Sequence, residues 1–150
     1  MNFFCFSTLS VLIVDDSRLI LQYLKDVLIS MGFKADRIKT IDRYENGSKL
    51  VNQEYDLMIC DYHLDNGHNG VDLINLLRSN GVVTPQTVCI MASAEASKDI
   101  IHRCIDACVD DYMVKPFDVA FVKSRIVKNL KRNNMKAIGI GCNEHTSKTE

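Results

Sequence analysis

Short apolar runs closed by polar turns alternate with longer stretches whose apolar residues recur at helical spacing. Ser10 to Val14 is a β-branched run closed by Asp15-Asp16. Ser17 then offers a helix-capping side chain, Ile20, Leu24, Val27, Leu28 and Met31 follow on one face, and Gly32 suits the C-terminal cap. Arg37 to Ile41 predicts a second, weaker strand. Residues 43–53 predict a poorer helix, because Asn46-Gly47 interrupts it and the glycine costs about 1 kcal/mol. Asp56 to Cys60 is a third strand that delivers Asp61 into a polar loop.

Asn69-Gly70 leads into the apolar helix Val71 to Leu77, which Asn80-Gly81 ends. Pro85 precedes a fourth strand, Thr87 to Met91, finishing at Ala92-Ser93-Ala94. Ile101, Cys104, Ile105 and Cys108 line one face of the next helix, and Asp111 to Val114 is a fifth strand ending at Lys115-Pro116. From about Asp118 a last helix turns Val119, Val122, Ile126 and Leu130 inward. Five strands alternating with five helices predict an α/β domain whose parallel sheet is covered on both faces. Residues 1–9 read as an N-terminal extension, 10–134 as the domain and 135–150 as a tail or linker.

Composition changes this picture little. The 150 residues are 47% hydrophobic and 25% charged with a net charge of −1, which suits a single globular domain and gives no pull towards nucleic acid or an anionic membrane. Phe3 to Val14 is apolar but lacks a basic start and a cleavage site, and is too short to span a bilayer. A cytoplasmic location is expected. Of six cysteines, Cys60, Cys89, Cys104 and Cys108 fall on strands or an apolar helix face, so they read as core thiols rather than disulfides or, with His102, a zinc site. Cys5 and Cys142 lie near the termini. Lys123, Arg125, Lys128, Lys131 and Arg132 read as a solvated or protein-contact face of the last helix rather than a DNA surface.

The chemistry lies at the strand ends. In an open parallel sheet ligands bind at the carboxyl ends of the strands, where this sequence puts Asp15 and Asp16, Asp61, Ser93, and Lys115. Taken singly, Asp-Asp-Ser is a helix cap, one aspartate a turn residue, and Lys-Pro little at all; together they are complementary. Three carboxylates repel, one lysine cannot balance them, and oxygen ligands with surplus negative charge favour a hard divalent cation, Mg²⁺ or Mn²⁺. Asp61 then reads as a nucleophile for an incoming phosphoryl group. Lys115 and the metal neutralise its oxygens, and the Ser93 hydroxyl donates to another.

The runs Val11-Leu12-Ile13-Val14-Asp15-Asp16-Ser17, Leu57-Met58-Ile59-Cys60-Asp61-Tyr62, Ile90-Met91-Ala92-Ser93-Ala94 and Asp110-Asp111-Tyr112-Met113-Val114-Lys115-Pro116-Phe117 resemble, in that order, the receiver domain of bacterial two-component response regulators. The resemblance covers Ser10 to Asn133. It implies a flavodoxin-like (βα)₅ fold with strand order 2-1-3-4-5 and phosphorylation of Asp61 by a histidine kinase or phosphotransfer protein. It implies Mg²⁺ on Asp16, Asp61 and the His63 backbone carbonyl, with Asp15 acting through water. It further implies a cis Lys115-Pro116 bond, a Ser93/Tyr112 switch pair, and His63 and Glu95 as tuners of phosphate lifetime. The fourth helix, fifth strand and fifth helix would form the partner face, for a downstream protein, a missing C-terminal effector or a second copy. Such a domain is a switch that catalyses only its own phosphoryl transfer and dephosphorylation.

Some features depart from the family. The loop Tyr62 to Gly70 lacks a proline common there and looks about one residue longer, and Cys108 stands where a helix-ending glycine is frequent. His68, His102 and His145 have no supporting context. The alternatives are a receiver-like interaction module that is never phosphorylated and, from another class, a phosphatase of the haloacid dehalogenase type. The latter wants an aspartate two positions after its nucleophile, whereas Ser17 follows Asp15 and Arg18 follows Asp16. A nucleotide-binding role is weaker, because no Gly-rich phosphate loop is present. The run Phe3-Phe4-Cys5-Phe6 predicts a buried extension or contact surface.

Overall fold

A computed structural model describes residues 5–137. Its five strands are β1 (Val11–Val14), β2 (Ile38–Ile41), β3 (Leu57–Asp61), β4 (Val88–Ser93) and β5 (Asp111–Val114). They form one sheet in the order β2-β1-β3-β4-β5, with every pairing parallel. The helices between and after them are α1 (Arg18–Met31), α2 (Tyr44–Ser48), α3 (Gly70–Ser79), α4 (Lys98–Asp106) and α5 (Val119–Ala137). The order reverses at β1, so β1 and β3 flank the switch point at which such sheets bind ligands.

Strand alternation divides the core into two layers. Val11, Ile13, Leu57, Ile59, Val88, Ile90 and Met113 point to one face, where Leu24 and Leu28 of α1 and Val122, Ile126 and Leu130 of α5 cover them. Leu12, Val14, Met58, Cys60, Cys89 and Met91 point to the other, under Leu73, Ile74 and Leu77 of α3 and Ile100 and Cys104 of α4. β1, β3 and β4 are buried throughout, which is why their sequences are continuous apolar runs rather than alternating ones.

Local capping matches the sequence. The Ser17 hydroxyl accepts from the Ile20 amide, and Gly32 adopts the left-handed conformation (φ 110°) that closes α1. Asn69 caps α3 by accepting from the Asp72 amide, and Ser97 caps α4 through the Ile100 amide.

The structure corrects several expectations. α2 is only five residues long, not eleven: Gly47 is buried, and a Cβ there would lie 3.2 Å from Leu73, so the chain turns tightly against α3 and then leaves the helix. On α4 the inward residues are Ile100 and Cys104, while Ile105 is 64% exposed and Cys108 is exposed beyond the helix end. Val119 is likewise 41% exposed, being at the first turn of α5 before that helix meets the sheet. Cys108, standing where the family often has glycine, takes a left-handed backbone (φ 57°). Arg78 of α3 donates to the carbonyls of Ala107 and Cys108, so a cation from the neighbouring helix serves the end of α4.

At the far end of the sheet, Phe6 stacks on Phe33 with ring centroids 4.8 Å apart and joins the α1/α5 core layer. This part of the expected buried extension exists, whereas Phe3 and Phe4 lie outside the described residues. α5 continues to Ala137, into the stretch read as a tail; Cys142 and His145 lie outside the described residues.

Candidate functional site

The carboxyl ends of β1, β3, β4 and β5 bring the singled-out side chains into one crevice. One carboxylate oxygen from each of Asp15, Asp16 and Asp61 lies within 4.8 Å of the others, with Asp15 and Asp61 buried and Asp16 exposed. The Lys115 ammonium donates to Asp15 Oδ2 at 2.7 Å and to Asp61 Oδ2 at 3.3 Å. Backbone bonds fix these positions: the Asp15 amide donates to Ile41 O (3.1 Å) and the Lys115 amide to Ser93 O (2.8 Å). Asp15 also accepts from the Ser17 amide at 2.8 Å, which ties the first carboxylate to the start of α1. The Lys115-Pro116 peptide is cis, as the resemblance implied.

The electrostatics are those of an acidic pocket with too little positive charge. Burial and the neighbouring Asp15 carboxylate push the Asp61 carboxyl up to about 6, although Lys115 opposes the shift. Burial works against the Lys115 ammonium, but its bonds to Asp15 and its attraction to Asp15 and Asp61 outweigh that and raise its pKa. Three oxygen donors, surplus negative charge and one exposed member open to water fit a hydrated divalent cation of the Mg²⁺ kind.

A second layer of polar contacts surrounds the pocket. Ser93 is fully buried, and its hydroxyl accepts from the Glu95 amide at 3.3 Å. The half-buried Tyr112 donates its hydroxyl to the Glu95 carbonyl. Across the mouth, His63 Nε2 and Glu95 Oε1 are 2.5 Å apart, and both side chains are more than half exposed. Glu95 therefore touches Ser93, Tyr112 and His63 by three different groups.

Two features of the site escaped sequence reasoning. Gly70, read only as a helix start, has its amide on Tyr62 O at 2.7 Å. A Cβ there would sit 2.6 Å from Asp61 O and 2.8 Å from Met91 Sδ, so only glycine lets α3 start this close to β3. His68, left without context, stacks on Tyr44 with ring centroids 3.8 Å apart. No local sequence signal pairs these two rings. The three buried thiols are inert packing: burial raises Cys104, lifts Cys89 to about 12 and drives Cys60 well above its usual value.

Such a sheet, with an acidic pocket at its switch point and a lysine reaching in after the last strand, defines a flavodoxin-like α/β domain. Residues 11–127 match the response regulator receiver domain family, and the chain belongs to it. The chemotaxis protein CheY of Pseudomonas aeruginosa is 29% identical over 126 residues, covering 84% of this chain and 99% of that protein. A probable transcriptional regulatory protein, SilR of Salmonella typhimurium, is 33% identical over 132 residues, but the match spans 53% of its length. Among solved structures, a CheY-like receiver domain from Methanospirillum hungatei JF-1 has a TM-score of 0.74 at 23% identity, covering 86% of this chain and 99% of that one. A BeF₃-activated DrrB receiver domain superposes with a TM-score of 0.70 at 21% identity, covering 82% and 97%. Receiver domains work as phosphoacceptor switches in two-component signalling, served by histidine kinases and read by downstream targets, rather than as enzymes on an external substrate. No helix among the described residues is long and apolar enough to cross a membrane.

Proposed function

We propose that Asp61 is the phosphoacceptor of this receiver domain, charged by a histidine kinase or phosphotransfer protein and read through the surface of α4, β5 and α5. The observation that carries the reading is the convergence of Asp15, Asp16 and Asp61 with Lys115 bridging two of them. Asp61 Oδ attacks the phosphorus of a phosphohistidine, the P–N bond breaks, and the imidazole nitrogen takes back its electron pair. Lys115 would leave Asp15 in part and follow the new negative charge onto the phosphoryl oxygens. Asp16, Asp61 and the His63 carbonyl would hold Mg²⁺, with Asp15 acting through water, and the ion would supply the remaining charge neutralisation on those oxygens.

Readout follows from Ser93. Drawn to the phosphoryl group, its hydroxyl would release the Glu95 amide, and the bond from Tyr112 to the Glu95 carbonyl would carry that movement to β5. Ile105, Val114, Val119 and Phe121 are all exposed apolar residues on or beside α4, β5 and α5, which suits a protein partner or a second copy better than nucleic acid. His63 and Glu95, paired with each other, would govern water access and hence phosphate lifetime. The working domain is 10–134, with residues 1–9 as an extension and 135–150 as a tail or linker, and its setting is the cytoplasm.

Intact-mass spectrometry after incubation with acetyl phosphate, with and without Mg²⁺, tests this directly. The expected result is a Mg²⁺-dependent, base-labile phosphoryl adduct that Asp61→Asn abolishes. A folded protein that takes up no phosphoryl group would instead be an unphosphorylated interaction module.

A further inference from the structure

We propose that Tyr44 is a positioning residue for the metal-binding loop, holding the segment that carries the His63 carbonyl. The inference rests on the reading of that carbonyl as a Mg²⁺ ligand. Tyr44 touches no reacting atom; it acts through Asp65 and His68.

α2 is a single turn, and such a turn is not stable alone. Its own capping position, Arg43, makes no side-chain cap bond. The missing acceptor comes from the loop after β3: Asp65 Oδ1 takes the Tyr44 amide at 2.7 Å. Three residues further on, the His68 ring lies nearly parallel to the Tyr44 ring, 7° apart at 3.8 Å. One residue of α2 therefore grips the loop twice, once through its backbone and once through its side chain.

The loop needs such a grip. His63 pairs with Asn69 in an antiparallel bridge, and the Leu64 amide donates to His68 O at 3.0 Å, so residues 63–69 form a small hairpin. Its tip, Asn66 and Gly67, has left-handed backbone (φ 57° and 78°). His63, Asn66, Gly67 and His68 are exposed, and Leu64 is the one member packed into the core. An exposed hairpin of this kind keeps much of its conformational freedom unless something outside it is bonded to it. The base of the hairpin is His63, two residues past Asp61, so holding the Asp65 and His68 end also fixes where the His63 carbonyl points.

Outer contacts that orient a ligand change metal affinity without touching the metal, and losing one costs about tenfold. The test is calorimetric titration of the unphosphorylated 150-residue chain with Mg²⁺ alone. Tyr44→Ala, which keeps the backbone bond to Asp65 but removes the ring from His68, should weaken Mg²⁺ binding about tenfold, whereas Tyr44→Phe, which keeps the ring, should bind as the parent does. His68→Ala should also weaken it, and the double variant should be no weaker than Tyr44→Ala. Asp16→Asn, which removes a proposed ligand, should abolish binding. A folded Tyr44→Ala protein with the parent's Mg²⁺ affinity, beside an Asp16→Asn protein that has lost it, would overturn the positioning role alone. If the parent binds no Mg²⁺, the metal reading of the pocket fails, and the inference with it. Should Tyr44→Ala not fold, parent-like affinity in the His68→Ala variant would be equally fatal.

Discussion

Asp61 is ionised only against burial and the Asp15 carboxylate, which Lys115 offsets in part. Its carboxyl titrates near 6 in the fold against an ordinary value of 3.8, so the folded chain binds that proton more tightly than the unfolded chain. Stability from this group is therefore fully present at low pH and is lost as pH rises through about 6, a difference of roughly 3 kcal/mol for the group taken alone. Asp61→Asn removes the charge but keeps the shape. Without Mg²⁺, that variant should be more stable than the parent at pH 8, and the gap should narrow by about 1 kcal/mol at pH 5. Urea unfolding at the two pH values measures it, and a gap that ignores pH would mean that Asp61 is not the strained group. Cys108 is strained in another way, with a side chain on a left-handed backbone. Cys108→Gly should stabilise the fold by about 1 kcal/mol, because Arg78 bonds only to main-chain carbonyls there and keeps its partners. An unmoved urea midpoint would count against that strain.

Among the elements, what was legible in the sequence was whatever has a local cause. The strands announce themselves as apolar runs because both faces are covered, and α1 and α3 carry their own caps. The meeting of Asp15, Asp16, Asp61 and Lys115 was legible too, because each stands at the end of a strand. What was hidden depends on a neighbour distant in sequence. α2 is short because Gly47 lies on Leu73, and it is capped by Asp65, twenty-one residues away. The inward stripe of α4 was misjudged because Ile105 looks like core until the sheet leaves it uncovered. Gly70 belongs to this group, since its requirement comes from Asp61 O and Met91 Sδ rather than from any turn. Gly70→Ala should cost about 2 kcal/mol and slow the proposed phosphoryl uptake by Asp61, because α3 must retreat from that residue. Adduct formation at the parent rate in a destabilised protein would separate the packing of α3 from the chemistry.

Taken whole, the molecule is two apolar layers on one sheet, and its pocket is where distant parts of the chain meet. Asp15 and Lys115 are in contact across one hundred residues of sequence, and Asp61 and Lys115 across fifty-four. Contacts of such long sequence separation close late, after the loop entropy between them has been overcome. During refolding into acetyl phosphate and Mg²⁺, adduct should therefore appear no earlier than the recovery of native far-ultraviolet dichroism. Uptake that preceded it would show an acceptor working without Lys115. On the proposed function, the parallel strand that brings Lys115 home would act as a proofreader: a nascent, truncated or misfolded copy would have no complete place to be written on, and only a finished molecule would carry the message.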